Sequence, residues 1–154
     1  MSKQPVRFPL MAHRGYASMY PENTLEALCA AANAGITLLE FDIQLTRDHI
    51  PVLLHDAGLK RTAGIDRLVC QSTLAELQTV GVGFPAQFGD SYQNIRLPTL
   101  EQALELLPAH PDWVYFIELK HESIEAFGVD LVVDQLLPLI YEHLDQCVII
   151  SFDY

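Results

Sequence analysis

From Leu39 to Leu45, within a strand that reads from Thr37, the chain alternates apolar and polar residues without a break. Successive side chains of an extended strand point to opposite faces. Leu39, Phe41 and Ile43 therefore share one face, and Glu40, Asp42 and Gln44 the other. The first face packs; the second carries two carboxylates a few ångströms apart. An apolar run before this strand, Phe8 to Ala12, ends in His13-Arg14-Gly15 and reads as a short buried strand closed by a loop. Between the two, Asn23 is placed to cap a helix, with Glu26 three residues on, Gly35 at its end and Leu25, Leu28 and Ala32 as its stripe. Pro51–Leu54 reads as a third strand. The five residues between strands two and three are too few for a crossover helix, which takes about a dozen. The third strand is therefore expected as a hairpin-like extension of the second.

Residues 57–98 read as mostly irregular, with one helix started by the capping box of Thr73 and Glu76. Thr99 and Gln102 repeat that device. A strand over 113–120, a long amphipathic helix over 123–144 kinked at Pro138, and a closing strand over 148–152 complete the chain. Leu136, Leu139, Ile140 and Leu144 form the long helix's stripe. Strands alternating with helices predict an α/β fold with a mainly parallel sheet.

Composition narrows the function classes. Half of the 154 residues are hydrophobic and 19% are charged, which excludes disorder. The length suits one domain. Three cysteines are too few, and odd, for a disulfide scaffold. Cys29, Cys70 and Cys147 sit among apolar neighbours and are expected as buried free thiols. A formal net charge of −11 repels polyanions, so non-specific nucleic-acid binding is not expected. A small phosphate ligand stays compatible, because local positive charge or a metal overrides the net field. Residues 1–10 lack the pattern of a signal peptide, and no apolar run is long enough to span a membrane. The expected location is cytoplasmic. No G-x-G-x-x-G, P-loop or C-x-x-C motif is present.

The ionisable residues cluster at the ends of strands: His13-Arg14, Glu40 and Asp42, His55-Asp56, Glu118 and Lys120. In parallel α/β folds those ends share one rim, where sites form. Buried charge there costs several kcal/mol unless it is paired or metal-bound. Glu40, Asp42 and Glu118 are hard oxygen ligands that suit Mg²⁺ or Ca²⁺. His13 and His55 suit general acid–base work near neutral pH. Arg14 and Lys120 suit anchoring of a phosphate or carboxylate. His49, His110, His121 and His143 have no such setting. Together these residues describe phosphodiester cleavage.

The same residues carry a resemblance. Ala12-His13-Arg14-Gly15, Pro21-Glu22-Asn23-Thr24, Glu40-Phe41-Asp42, Thr46-Arg47-Asp48, Val52-Leu53-Leu54-His55-Asp56, Leu97-Pro98-Thr99-Leu100 and Ile117-Glu118-Leu119-Lys120 resemble the glycerophosphodiester phosphodiesterase family in order and spacing. Lys60-Arg61-Thr62 and Ser72 to Leu77 resemble its inserted segment, here 57–98. The resemblance implies a TIM (β/α)8 barrel of the phospholipase C-like type, with residues 1–154 one domain. It implies hydrolysis of glycerophosphodiesters to an alcohol and glycerol 3-phosphate. It assigns Glu40, Asp42 and Glu118 to a divalent metal, His13 and His55 to acid–base catalysis, and Arg14 and Lys120 to the phosphate. It implies attack by the substrate's own glycerol hydroxyl, giving a cyclic phosphate that water opens.

Length conflicts with that barrel, which takes ~250 residues and rarely fewer than ~200. Five strands precede Tyr154, so the sequence reads as the first part of a barrel, truncated at its C-terminus. Open sheet edges then invite association, so a homo-oligomer is a possible state. Two other readings stay open: the same fold acting on lysophospholipids, and a non-catalytic barrel fragment.

Overall fold

The computed structural model describes residues 9–108 and 110–152. Phe8, the start of the first expected strand, lies outside them. The elements in chain order are β1 (Met11–His13), α1 (Leu25–Asn33), β2 (Leu38–Leu45), β3 (Pro51–Leu53), α2 (Lys60–Ala63), α3 (Leu74–Leu77), α4 (Pro85–Phe88), α5 (Leu100–Leu106), β4 (Val114–Leu119), α6 (His121–Phe127), α7 (Val129–Ile140) and β5 (Cys147–Ile150). The sheet runs β1-β2-β4-β5, all neighbours parallel, and β3 pairs antiparallel with β2 off this path. The hairpin-like extension is thus observed. Thr46 makes its turn: the hydroxyl accepts from the Ile50 amide at 2.9 Å and donates to Asp48 at 2.6 Å.

Alternation along β2 has the expected consequence. Leu39, Phe41 and Ile43 are buried with Tyr115, Ile117 and Leu119 of β4 against Leu28, Ala31, Ala103, Leu104, Val132, Leu136 and Ile140 of the helices. The polar residues of β2 occupy the opposite face of the sheet. All the helices that build the main core lie on one side, which leaves the other side for chemistry.

Several expectations need correction. Helix α1 is capped by Thr24, whose hydroxyl accepts from the Ala27 amide at 3.2 Å. Asn23 instead takes a left-handed backbone, φ 54°, and turns towards the sheet. The buried stripe of α1 is Ala27, Leu28 and Ala31. Residues 57–98 hold α2, α3, α4 and two short 3₁₀ turns, not one helix. They have their own apolar cluster, in which Leu59, Val69, Leu77, Val82 and Leu97 pack with Val52 and Leu54 of the β3 strand region. Both capping boxes, Thr73/Glu76 and Thr99/Gln102, are present.

The long helix is two. Gly128 separates α6 from α7 at φ 81°, ψ 149°, a region open essentially to glycine alone. Pro138 sits inside α7 without ending it. Leu144 lies beyond α7 and is exposed. The three cysteines are free but only half-buried. No described helix is long and apolar enough to cross a membrane.

Candidate active site

Sheet register assembles the site. His13 of β1 stands beside Glu40 of β2, and Asp42 of β2 stands beside Glu118 of β4. In-register neighbours of a parallel sheet point to the same face, so all four side chains leave the sheet on the side away from the helices. Glu40, Asp42 and Glu118 are 2%, 0% and 7% exposed. Each offers an oxygen within 4.8 Å of the others.

Two cations meet this group. Lys120, just past β4, lies 2.7 Å from Glu118 and 3.5 Å from Asp42. Burial alone would lower its ammonium, but the Glu118 hydrogen bond and the Asp42 charge raise it, so it stays charged. Arg14 places its Nε 3.2 Å from Asp42 Oδ2, and its backbone N–H donates to Glu40 at 2.9 Å. The loop that carries Arg14 is tight. Arg14 has φ 58° and Gly15 φ 78°. A Cβ on Gly15 would meet the Ala27 backbone carbon at 2.6 Å, so the loop can lie on α1 only with glycine there.

Asn23 completes the inner layer. Its amide donates to Asp42 Oδ2 at 2.8 Å, and its carbonyl oxygen accepts from the Asp42 backbone N–H at 3.1 Å. His13 lies 3.7 Å from Glu40, with its ring largely exposed. His55 follows β3, and Gln44 donates to the carbonyls of Leu54, His55 and Asp56, which pins that loop to β2. His55 Nδ1 is 2.8 Å from Asp56. Arg61 grips Asp56 at 2.7 and 2.8 Å and Glu22 at 2.8 Å twice, and Glu22 also lies 3.1 Å from Arg14. His55 is thus joined to Asp42 by an unbroken series: a hydrogen bond to Asp56, then the ion pairs Asp56–Arg61, Arg61–Glu22, Glu22–Arg14 and Arg14–Asp42.

The structure therefore brings His13, Arg14, Glu40, Asp42, Glu118 and Lys120 into direct contact, and reaches His55 through charged intermediates. The sequence alone assigns no site role to Glu22, Asn23, Asp56 or Arg61: Asn23 reads as a helix cap, and Asp56 as part of a strand-end cluster. All four lie within matched motifs, but nothing local tells a charged loop residue from a site residue. Asn23 and Thr24 are both good caps, and only the fold shows which one caps.

The inner carboxylates are under-compensated. Burial, then the Asp42 charge, push the Glu40 carboxyl up to about 7. Glu40 Oε1 and Asp42 Oδ1 are buried without a hydrogen-bond partner. Two buried carboxylate oxygens without a hydrogen bond, one of them only 3.5 Å from the Lys120 ammonium, beside a third carboxylate are the donor set a hard divalent cation takes. The triad fits such an ion.

Known proteins resemble this chain in sequence and in fold. Residues 13–153 match the family described as glycerophosphoryl diester phosphodiesterase. The glycerophosphodiester phosphodiesterase of Caldanaerobacter subterraneus subsp. tengcongensis is 33% identical over 143 residues, covering 92% of this chain and 56% of its own length. An Oleispira antarctica phosphodiesterase, solved with the product sn-glycerol-3-phosphate, superposes with TM-score 0.80 at 34% identity, over 94% of this chain and 57% of that one. The Thermotoga maritima glycerophosphodiester phosphodiesterase gives TM-score 0.74 at 27% identity, over 97% and 56%. The chain spans little more than half the length of these relatives. Its fold is the (β/α)8 barrel in part: β1, β2, β4 and β5 supply four parallel wall strands, and β3 is the fifth strand, outside the wall.

Proposed function

This chain belongs to the glycerophosphoryl diester phosphodiesterase family, and from that membership we propose that it carries the metal and acid–base residues of an enzyme hydrolysing glycerophosphodiesters to an alcohol and glycerol 3-phosphate. The observation that carries the proposal is the buried triad Glu40, Asp42 and Glu118 on the helix-free face of the sheet. The relative bound to sn-glycerol-3-phosphate supports the substrate class.

Glu40, Asp42 and Glu118 would hold the ion, Mg²⁺ or Ca²⁺. When bound, it supplies Lewis-acid neutralisation of phosphoryl charge. Arg14 and Lys120 hold the non-bridging oxygens of the phosphate, Arg14 through its planar fork and Lys120 as a point charge. Asn23 keeps Asp42 oriented through both ends of its amide. One histidine of the pair His13 and His55 takes the proton of the attacking hydroxyl, and the other protonates the leaving oxygen. The attacking hydroxyl is the substrate's own glycerol group; water then opens the cyclic phosphate with the histidine roles exchanged. His13 has the exposed ring and reaches incoming substrate directly, whereas His55 is fixed by Asp56.

The test is turnover of glycerophosphocholine with Mg²⁺ or Ca²⁺ added after chelation, with lysophosphatidylcholine as the competing substrate. The expected result is cation-dependent glycerol 3-phosphate release, cut ~10²- to 10⁴-fold by His13→Ala and abolished by Glu40→Ala. Cation-independent turnover would overturn the metal assignment, and preference for the lysolipid would overturn the substrate.

A further inference from the structure

Arg61 belongs to α2, in the segment 57–98, yet its guanidinium is spent entirely on loops that carry the site. Its Nε and one terminal nitrogen hold the two oxygens of Asp56 at 2.7 and 2.8 Å. Its terminal nitrogens hold the two oxygens of Glu22 at 2.8 Å each. The Phe84 ring, from the same segment, backs it at 5.3 Å. Two carboxylates gripped bidentately by one planar group fix both in position and in plane, which a lysine ammonium cannot do.

Each carboxylate has a second duty. Asp56 faces Nδ1 of His55 at 2.8 Å, and Glu22 faces Arg14 at 3.1 Å. An ionised carboxylate only accepts, so Nδ1 must carry a proton, and whenever the imidazole is neutral its Nε2 is the unprotonated nitrogen. Hydrogen bonds from Arg61 first, then from His55, hold the Asp56 carboxyl down to about 2.

We infer that Arg61 is a positioning residue for the phosphodiester reaction: through Asp56 it sets the tautomer of His55, and through Glu22 it aims Arg14 at Asp42. This rests on the acid–base role given to His55 and the phosphate role given to Arg14 above. It makes the segment 57–98 a support for the site as well as a cover for β3. A salt bridge serving stability alone would fix neither a ring tautomer nor a neighbouring guanidinium.

The test reads the imidazole nitrogens of His55 by long-range ¹H–¹⁵N NMR on histidine-labelled full chain, in wild type, Arg61→Met, Arg61→Lys and Glu22→Gln. Wild type should show the Nδ1–H form. Arg61→Met should shift His55 to a mixture or to the Nε2–H form, Arg61→Lys should lie between, and Glu22→Gln should keep the wild-type tautomer. In turnover, Arg61→Met should lose about 10- to 100-fold in kcat/KM, partly rescued in Arg61→Lys. A His55 spectrum unchanged in Arg61→Met would overturn the inference. If that variant does not fold, a His55 spectrum unchanged in the charge-conserving Arg61→Lys would overturn it equally. The NMR readout needs no turnover, so a chain that hydrolyses nothing would sink the proposed function while the role of Arg61 in setting the tautomer is still decided.

Discussion

Asn23 shows how much one side chain can carry at the residue scale. Its left-handed backbone lets the amide reach into the sheet, where it satisfies both the carboxylate and the backbone N–H of Asp42. Asn23→Ala orphans a buried N–H, which costs about 1–3 kcal/mol, and puts alanine at a positive φ that asparagine tolerates better. Chemical denaturation should show that loss. An unchanged midpoint would mean that Asp42 finds another partner. Asp56 gives a pH-dependent counterpart. Its carboxyl sits at about 2 in the fold against an ordinary 3.8. A depressed folded value means stabilisation that is present above 3.8 and lost as pH falls towards about 2. Wild type and Asp56→Asn should therefore converge in unfolding free energy over that interval. A gap that stays constant down to the acid end would show that Arg61 does not hold Asp56 in solution.

At the scale of elements, strong local signals decide the structure where they act alone. The alternation of β2, the brief connection to β3 and the boxes at Thr73 and Thr99 each involve neighbours in sequence, and each is observed. Competing signals were not separable. Pro138 announces a helix disturbance, but the chain breaks at Gly128, because only there does the backbone enter a region closed to other residues. Gly128→Ala is expected to cost about 1–3 kcal/mol through backbone strain, since a Cβ there meets nothing within 4 Å. A thermal melt of that variant matching wild type would place the break elsewhere. The segment 57–98 hid its structure for another reason: its helices are single turns with no periodicity to read, ordered by a cluster that draws on Val52 and Leu54.

For the whole molecule the sheet is the deciding object. Among the described residues, β1 and β5 pair on one side only. Leu10, Met11, Val148 and Phe152 are exposed there or beside those edges. Unpaired strand edges with apolar side chains recruit other strands. The 154-residue chain is expected to self-associate, with its mass by light scattering rising with concentration, and Val148→Lys should reduce that association. A constant monomer mass would show that both edges are protected in solution.

The sequence by itself determined the α/β class, the paired carboxylates of β2 and the motif set that led to the family, because these depend on strand periodicity and on residue identity at fixed spacing. It also supplied six of the residues that meet at the site: His13, Arg14, Glu40, Asp42, Glu118 and Lys120. Only the tertiary structure decided which side chains touch. Parallel register put Asp42 beside Glu118 across an interval of the chain that no local rule spans. The fold alone sent Asn23 to Asp42 and not to a helix end, and tied His55 to the site through Asp56, Arg61 and Glu22. Those contacts depend on how separate elements pack, and packing is settled by the burial of the whole core, not by any one stretch of sequence.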